Sequence, residues 1–290
     1  MGCGSSMIND VVYKNFRNNI IVDKYNYVLT FKANKDRYNK RQGCYAGYPR
    51  LGSVRSEDAL VWNFMRSLSF FKNFSPLEEL IGISLNNPKI LLWAMPFEEK
   101  TKELRQKVRT IIRSIDGKLA GPTTEPDVII ESDEYFIIIE CKLGEIGKYP
   151  SHLWDSKGTK GPERRYEYYF SQDLFVRSAK SRQKYEGEAY QLFRMVFYTC
   201  KIAEELGKTP IFVSLANKTW WDKKTKIKTQ SPGDIWKIFE KQVQKGKLKL
   251  KNVFWQDLKI NGTMHVLRDY MKSHECLCEN SEIQENSPLK

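Results

Sequence analysis

The chain has 290 residues, 41% of them hydrophobic and 29% charged, with a formal net charge of +13 and a pI near 9.3. That length holds one large domain or a domain with appendages, and the apolar fraction supports a sizeable core. No apolar run nears the ~18 residues that span a bilayer, no secretory signal pattern is present, and the basic excess favours a polyanionic partner, nucleic acid before an anionic membrane surface.

Cysteines stand at Cys3, Cys44, Cys141, Cys200, Cys276 and Cys278. None forms a Cys-x-x-Cys pair, and Cys141 and Cys200 fall in apolar segments, where cysteine acts as a small hydrophobe. This usage suits a reducing compartment rather than a disulfide framework, so a cytoplasmic location is expected. His274-Glu-Cys-Leu-Cys278 matches no dependable zinc spacing, and a tail is the preferred reading.

Residues 1–50 read as an N-terminal extension. Met1-Gly2-Cys3-Gly4-Ser5-Ser6 fits the N-myristoylation pattern. The preferred alternative is a non-native addition or an upstream start before Met7, since nothing downstream supports a membrane role. Residues 27–31 suggest a strand, and residues 32–48 a basic, aromatic loop. The region fits an accessory strand pair, an arm on nucleic acid, or a solvated surface equally.

Residues 53–71 read as a helix with Ser53 or Ser56 near its N-cap. Leu60, Val61, Phe64, Met65 and Leu68 recur at spacings of three and four and define a buried face. Glu57 falls on that face. A first-turn carboxylate turned to a core asks for a partner, although a favourable dipole or capping interaction explains it as well. Residues 89–95 then read as a core strand stopped by Pro96, and residues 98–115 as a charged amphipathic helix.

The stretch Glu125-Pro-Asp-Val-Ile-Ile-Glu-Ser-Asp-Glu-Tyr-Phe-Ile-Ile-Ile-Glu-Cys-Lys142 carries the chemistry. It reads as strands 128–131 and 135–141 joined by Ser132-Asp133-Glu134. Side chains alternate with period two, so Glu140 and Lys142 share a face with Phe136 and Ile138. Both faces are apolar until the strand ends, as in a strand covered on both sides. A carboxylate and an ammonium there are costly to desolvate unless paired or bound to a metal. Asp127 can approach from the neighbouring strand. A plain hairpin with a salt bridge at its mouth has the same pattern.

Residues 144–185 show little periodicity and interleave Trp154, Lys157, Arg164, Arg165, Tyr166 and Tyr168 with further basic and aromatic residues. A loop of that length inside a domain is usually functional or disordered. Bases stack on aromatics and phosphates pair with cations, so a nucleic-acid lid is the favoured reading over an internally packed insertion. Residues 186–206 form the strongest helical pattern, with Leu192, Phe193, Val196, Phe197, Cys200, Ala203 and Leu206 as its stripe, closed by Gly207 and Pro210. A buried strand is expected at 210–216, a helix at 232–244 and a further strand at 252–255. The lysine-rich 218–251 segment fits phosphate tracking or a solvated face. Residues 261–290 read as a tail, expected to be disordered from 273 because four Glu stand against one Lys with almost no apolar pattern.

Pro126-Asp127 followed by Glu140-Cys141-Lys142 resembles the PD-(D/E)XK, or restriction-endonuclease-like, nuclease superfamily. The order helix, strand, hairpin, helix, strand is similar to its αβββαβ core, a central mixed sheet flanked by helices, which would here occupy residues 51–260. The resemblance implies a Mg²⁺-dependent deoxyribonuclease, with Mn²⁺ able to substitute. It would assign metal binding to Asp127 and Glu140, with the Cys141 carbonyl as a further ligand. Lys142 would hold or polarise the attacking water, and Glu57 would complete the shell. Gln191 matches a glutamine that many relatives carry on the following helix, but Met195 stands where a tyrosine is expected, and a solvated helix glutamine explains it equally. DNA is the expected partner, and cutting both strands of a duplex would call for a homodimer. RNA, or a non-catalytic nucleic-acid-binding role on the same fold, is the alternative.

Overall fold

The computed structural model describes residues 13–37, 47–53, 56–116, 125–143, 173–176, 183–222, 231–260 and 262–273, with the side chains of 116, 183–188, 190 and 263 excepted. In chain order its helices and strands are α1 (Tyr27–Lys35), α2 (Glu57–Phe71), α3 (Ser75–Ile81), β1 (Lys89–Leu92), β2 (Met95–Pro96), α4 (Lys102–Asp116), β3 (Val128–Glu131), β4 (Tyr135–Lys142), α5 (Gln183–Leu206), β5 (Thr209–Ala216), α6 (Lys218–Trp221), α7 (Pro232–Glu240), β6 (Lys249–Phe254) and α8 (His265–Ser273). The N-terminal hexapeptide, the 274–290 tail and nearly all of the 144–182 insertion lie outside the described residues.

The chain divides into two compact units, Met1–Gly82 with Phe254–Lys290, and Ile83–Val253. The expected boundary after residue 50 therefore falls at 82, and its cause is the packing of α2. The Asn63 side chain accepts the Ile21 N–H and donates to the Asn19 carbonyl, both at 3.0 Å. Trp62 Nε1 donates to the Val22 carbonyl at 3.0 Å, and Phe64 meets Trp255 edge-on at 5.5 Å. The expected apolar face is buried, with Leu60, Val61, Phe64, Met65 and Leu68 among the most enclosed side chains. Ser56, rather than Ser53, caps α2 by accepting the Ala59 N–H.

Residues 27–31 are helical, not a strand. Asn26 accepts the Val28 N–H as the cap of α1, and burial of Val28, Leu29 and Ala33 at helical spacing holds it. Local β-propensity loses to the tertiary contacts of one face.

The second unit is α/β, built on a mixed open sheet in the order β2-β1-β3-β4-β5-β6. β1 pairs antiparallel with β2 and with β3, and β3 antiparallel with β4. β4 and β5 run parallel over their full lengths, from Tyr135↔Thr209 to Lys142↔Ala216. The crossover between them is α5, as a parallel pair requires. α5 packs on β4 and β5, and α4 and α7 pack on α5. Consequently α5 is buried almost all round: Leu192, Phe193, Met195, Val196, Phe197 and Tyr198 are enclosed. α7 starts with a Ser231–Asp234 capping box and places Phe239 edge-on to Phe193 at 5.0 Å. From the insertion, Phe175 bridges to Val243 and meets Phe193 at 5.2 Å.

The strand expected at 89–95 ends at Leu92. Trp93 and Ala94 adopt φ of 51° and 54°, and Leu92↔Met95 closes a two-residue hairpin. Such turns need positive φ at both positions and usually take Asn or Gly, so their residues here gave no signal. Pro96 sits on the short edge strand β2, where no ladder donor is required.

Candidate functional site

The ends of β3 and β4 bring the signature residues together. Asp127 directly precedes β3, and continuing the register Val128↔Ile139 by one residue sets it across from Glu140. Directly opposed residues share a face of the sheet, so the Asp127 and Glu140 side chains leave on the same side. Lys142, two residues on, shares that side.

Asp127 is held twice. Its Oδ2 accepts the Cys141 N–H at 2.9 Å, and its carbonyl accepts the Trp93 N–H at 3.0 Å. The second bond comes from the left-handed β1–β2 turn, so backbone strain borders the acidic residue.

Glu140 is buried, with its side chain 2% exposed. Lys142 Nζ pairs with Glu140 Oε1 at 2.7 Å, and Gln191 Nε2, from α5, donates to the same oxygen. Glu140 Oε2 is buried and accepts no hydrogen bond among the described residues. Lys142 is only 14% exposed, so the ion pair is largely withdrawn from water. Such a pair is costly to desolvate and is maintained by mutual attraction and further hydrogen bonds. The glutamine amide supplies one of these.

Glu57, by contrast, is the first residue of α2 and belongs to the other unit. It is half-buried in the first turn behind the Ser56 cap, where a carboxylate interacts favourably with the helix dipole.

Two polar residues not singled out from the sequence also stand close in the fold. Ser214 pairs with Glu140 across the parallel β4–β5 register, which puts both side chains on one face, and it is buried. The signal was one hydroxyl inside the apolar run of β5. Arg194 is buried one helical turn after Gln191, and its Nε donates to the Tyr198 hydroxyl at 2.7 Å. Met195 thus occupies the expected tyrosine position, while a tyrosine, Tyr198, appears about two helical turns after Gln191.

Among the described residues no group of three or more His, Cys, Asp or Glu side chains is placed to hold a metal ion. The local donors are two carboxylates and the Cys141 main chain. This all-oxygen set fits Mg²⁺, which binds through one or two carboxylates and keeps several waters. No described helix is long and apolar enough to cross a membrane. Comparison with protein-family models, with curated proteins and with solved structures gives no match.

Proposed function

We propose that the second unit hydrolyses phosphodiester bonds of DNA with a divalent metal ion, Mg²⁺ or Mn²⁺, as the resemblance to restriction-endonuclease-like nucleases implies. The observation carrying this reading is the convergence of Asp127, Glu140, Lys142 and Gln191 at the adjoining ends of β3, β4 and α5. The strand order β1-β3-β4-β5, with a helical crossover before the parallel strand, is compatible with the core of that superfamily. The +13 charge supports a polyanionic substrate.

Asp127 and Glu140 would hold the ion, helped by the Cys141 carbonyl. When bound, such an ion lowers the pKa of a coordinated water and neutralises phosphate oxygens. Asp127 is oriented for this by the Cys141 amide, which fixes one of its carboxylate oxygens. Lys142 supplies a positive charge beside the acidic pair, where it can orient the attacking water and offset charge developing on the phosphate. Gln191 keeps the Glu140 carboxylate in one orientation. Glu57 lies in the other unit, in the first turn of α2.

Plasmid and single-stranded DNA incubated with Mg²⁺ or Mn²⁺, against EDTA, test the proposal. Wild type should cut in either metal and not in EDTA, and Asp127→Asn, Glu140→Gln and Lys142→Met should each abolish cutting while remaining folded. Cleavage that survives in the Asp127 and Glu140 variants refutes the site. Binding without cleavage by the wild type favours a non-catalytic nucleic-acid-binding role, and cleavage confined to RNA corrects the substrate.

A further inference from the structure

Three large aromatic side chains stand in solvent within seven residues of the first unit: Tyr25 is 83% exposed, Tyr27 54% and Phe31 44%. Single exposed apolar residues are ordinary, but a cluster marks an interaction site. Tyr27 and Phe31 are four apart on α1 and therefore neighbours on one face. Their backbone positions are offset by about 6 Å along the helix axis.

Charge selects the partner. The Arg17 guanidinium lies over the Phe16 ring at 4.7 Å and the Tyr25 ring at 5.3 Å, and also donates to Thr30 Oγ1 at 3.2 Å. Lys35 Nζ lies 5.9 Å from the Phe31 ring centre, and Lys24 is exposed beside Tyr25. The nearby acids are committed elsewhere: Asp23 to Arg66 at 2.9 Å, Asp36 to Arg50 at 3.2 Å and Asp58 to Lys32 at 3.0 Å. The result is a row of rings interleaved with cations.

We infer that α1 and the turn before it form a single-strand nucleic-acid platform, with bases stacking on Tyr25, Tyr27 and Phe31 and phosphates meeting Arg17, Lys24 and Lys35. Stacking on aromatic faces tolerates any base, and a basic groove follows the backbone. A duplex keeps its bases stacked inside and offers the rings much less. The surface lies in the first unit, and the inference needs neither the acidic pair nor catalysis.

The test is fluorescence anisotropy of the full-length protein in EDTA, using labelled oligothymidine of about 20 nucleotides, longer than a typical single-strand site of ~4–16, and a duplex of equal length. Tyr25→Ala/Tyr27→Ala/Phe31→Ala should bind the single strand at least about tenfold more weakly, with a smaller loss on the duplex. Tyr25→Phe/Tyr27→Phe, which keeps the rings, should bind like wild type. The measurement is of binding in EDTA, where no metal-dependent cleavage occurs, so the platform can stand or fall separately from the nuclease reading. Unchanged single-strand binding by the triple variant, with an unchanged melting temperature, overturns the inference. So does a loss of anionic-vesicle cosedimentation in that variant without loss of oligonucleotide binding, because the surface would then serve a membrane.

Discussion

Gln191 donates its side-chain amide to the same oxygen of Glu140 that Lys142 pairs with. A helix and a strand far apart in the sequence thus fix one carboxylate from two directions. On the proposed reading Glu140 holds a metal ion, and groups that orient a metal ligand commonly change metal affinity or activity by about 10–100-fold when removed. Gln191→Ala should therefore lower cleavage by about that factor and raise the Mg²⁺ concentration needed for half-maximal rate. A purely structural role would lower the melting temperature without moving the Mg²⁺ requirement, so both are measured.

The Glu140–Lys142 pair should be strongly coupled. Removing one partner of a buried pair costs ~3–5 kcal/mol, and the 14% exposure of Lys142 puts this pair near the lower figure. Lys142→Ala leaves the more enclosed charge without its cation and should cost more than Glu140→Ala. The double variant should cost clearly less than the sum, by about 1 kcal/mol or more. Urea unfolding of the four proteins closes the cycle. Additive losses would mean that the two charges are solvated independently.

Asp127 separates fold from chemistry. Its Oδ2 accepts the Cys141 amide at 2.9 Å, and an asparagine oxygen can take that bond. Asp127→Asn should melt close to wild type yet be inactive. Asp127→Ala leaves an enclosed amide unsatisfied and should lose ~1–3 kcal/mol as well. Equal stability of the two variants would show that the bond does not hold the strand ends together.

The sequence exposed the hairpin better than its surroundings, for a physical reason. Period-two alternation fixes which side chains share a face, and strand register then forces Asp127 and Glu140 together, so the acidic pair was readable. The β1–β2 turn was not, because Trp93 and Ala94 carry none of the residue types that favour positive φ. α1 read as a strand because Tyr27, Val28, Thr30 and Phe31 favour extended backbone, whereas the Asn26 cap and the burial of Val28, Leu29 and Ala33 decide for helix. Ser214 depends on the parallel register of β4 and β5, which no local pattern encodes. The helix expected to open the αβββαβ order packs in the other unit, since its partners are Asn19, Ile21 and Trp255.

Cys200 gives the protein a defined alkaline weakness. Burial on α5 pushes its thiol from 9.0 up to about 12, because a thiolate there would be stripped of water. Below pH ~9 the thiol is protonated in both folded and unfolded chains and the full stability is present. Between about 9 and about 12 the unfolded chain releases a proton that the fold retains. Stability then falls as pH rises, by up to about 1.4 kcal/mol per pH unit. Cys200→Ala lowers stability at every pH by leaving a small cavity, but it removes this slope. Urea midpoints at about pH 8 and about pH 10 should therefore converge between the two proteins by roughly 1.4 kcal/mol. In the native protein at pH ~8 the thiol should also resist disulfide reagents until the chain unfolds, since the thiolate is the reactive form. Parallel loss of stability in both proteins, or rapid labelling of the folded wild type at Cys200, would show that this side chain is reached by solvent.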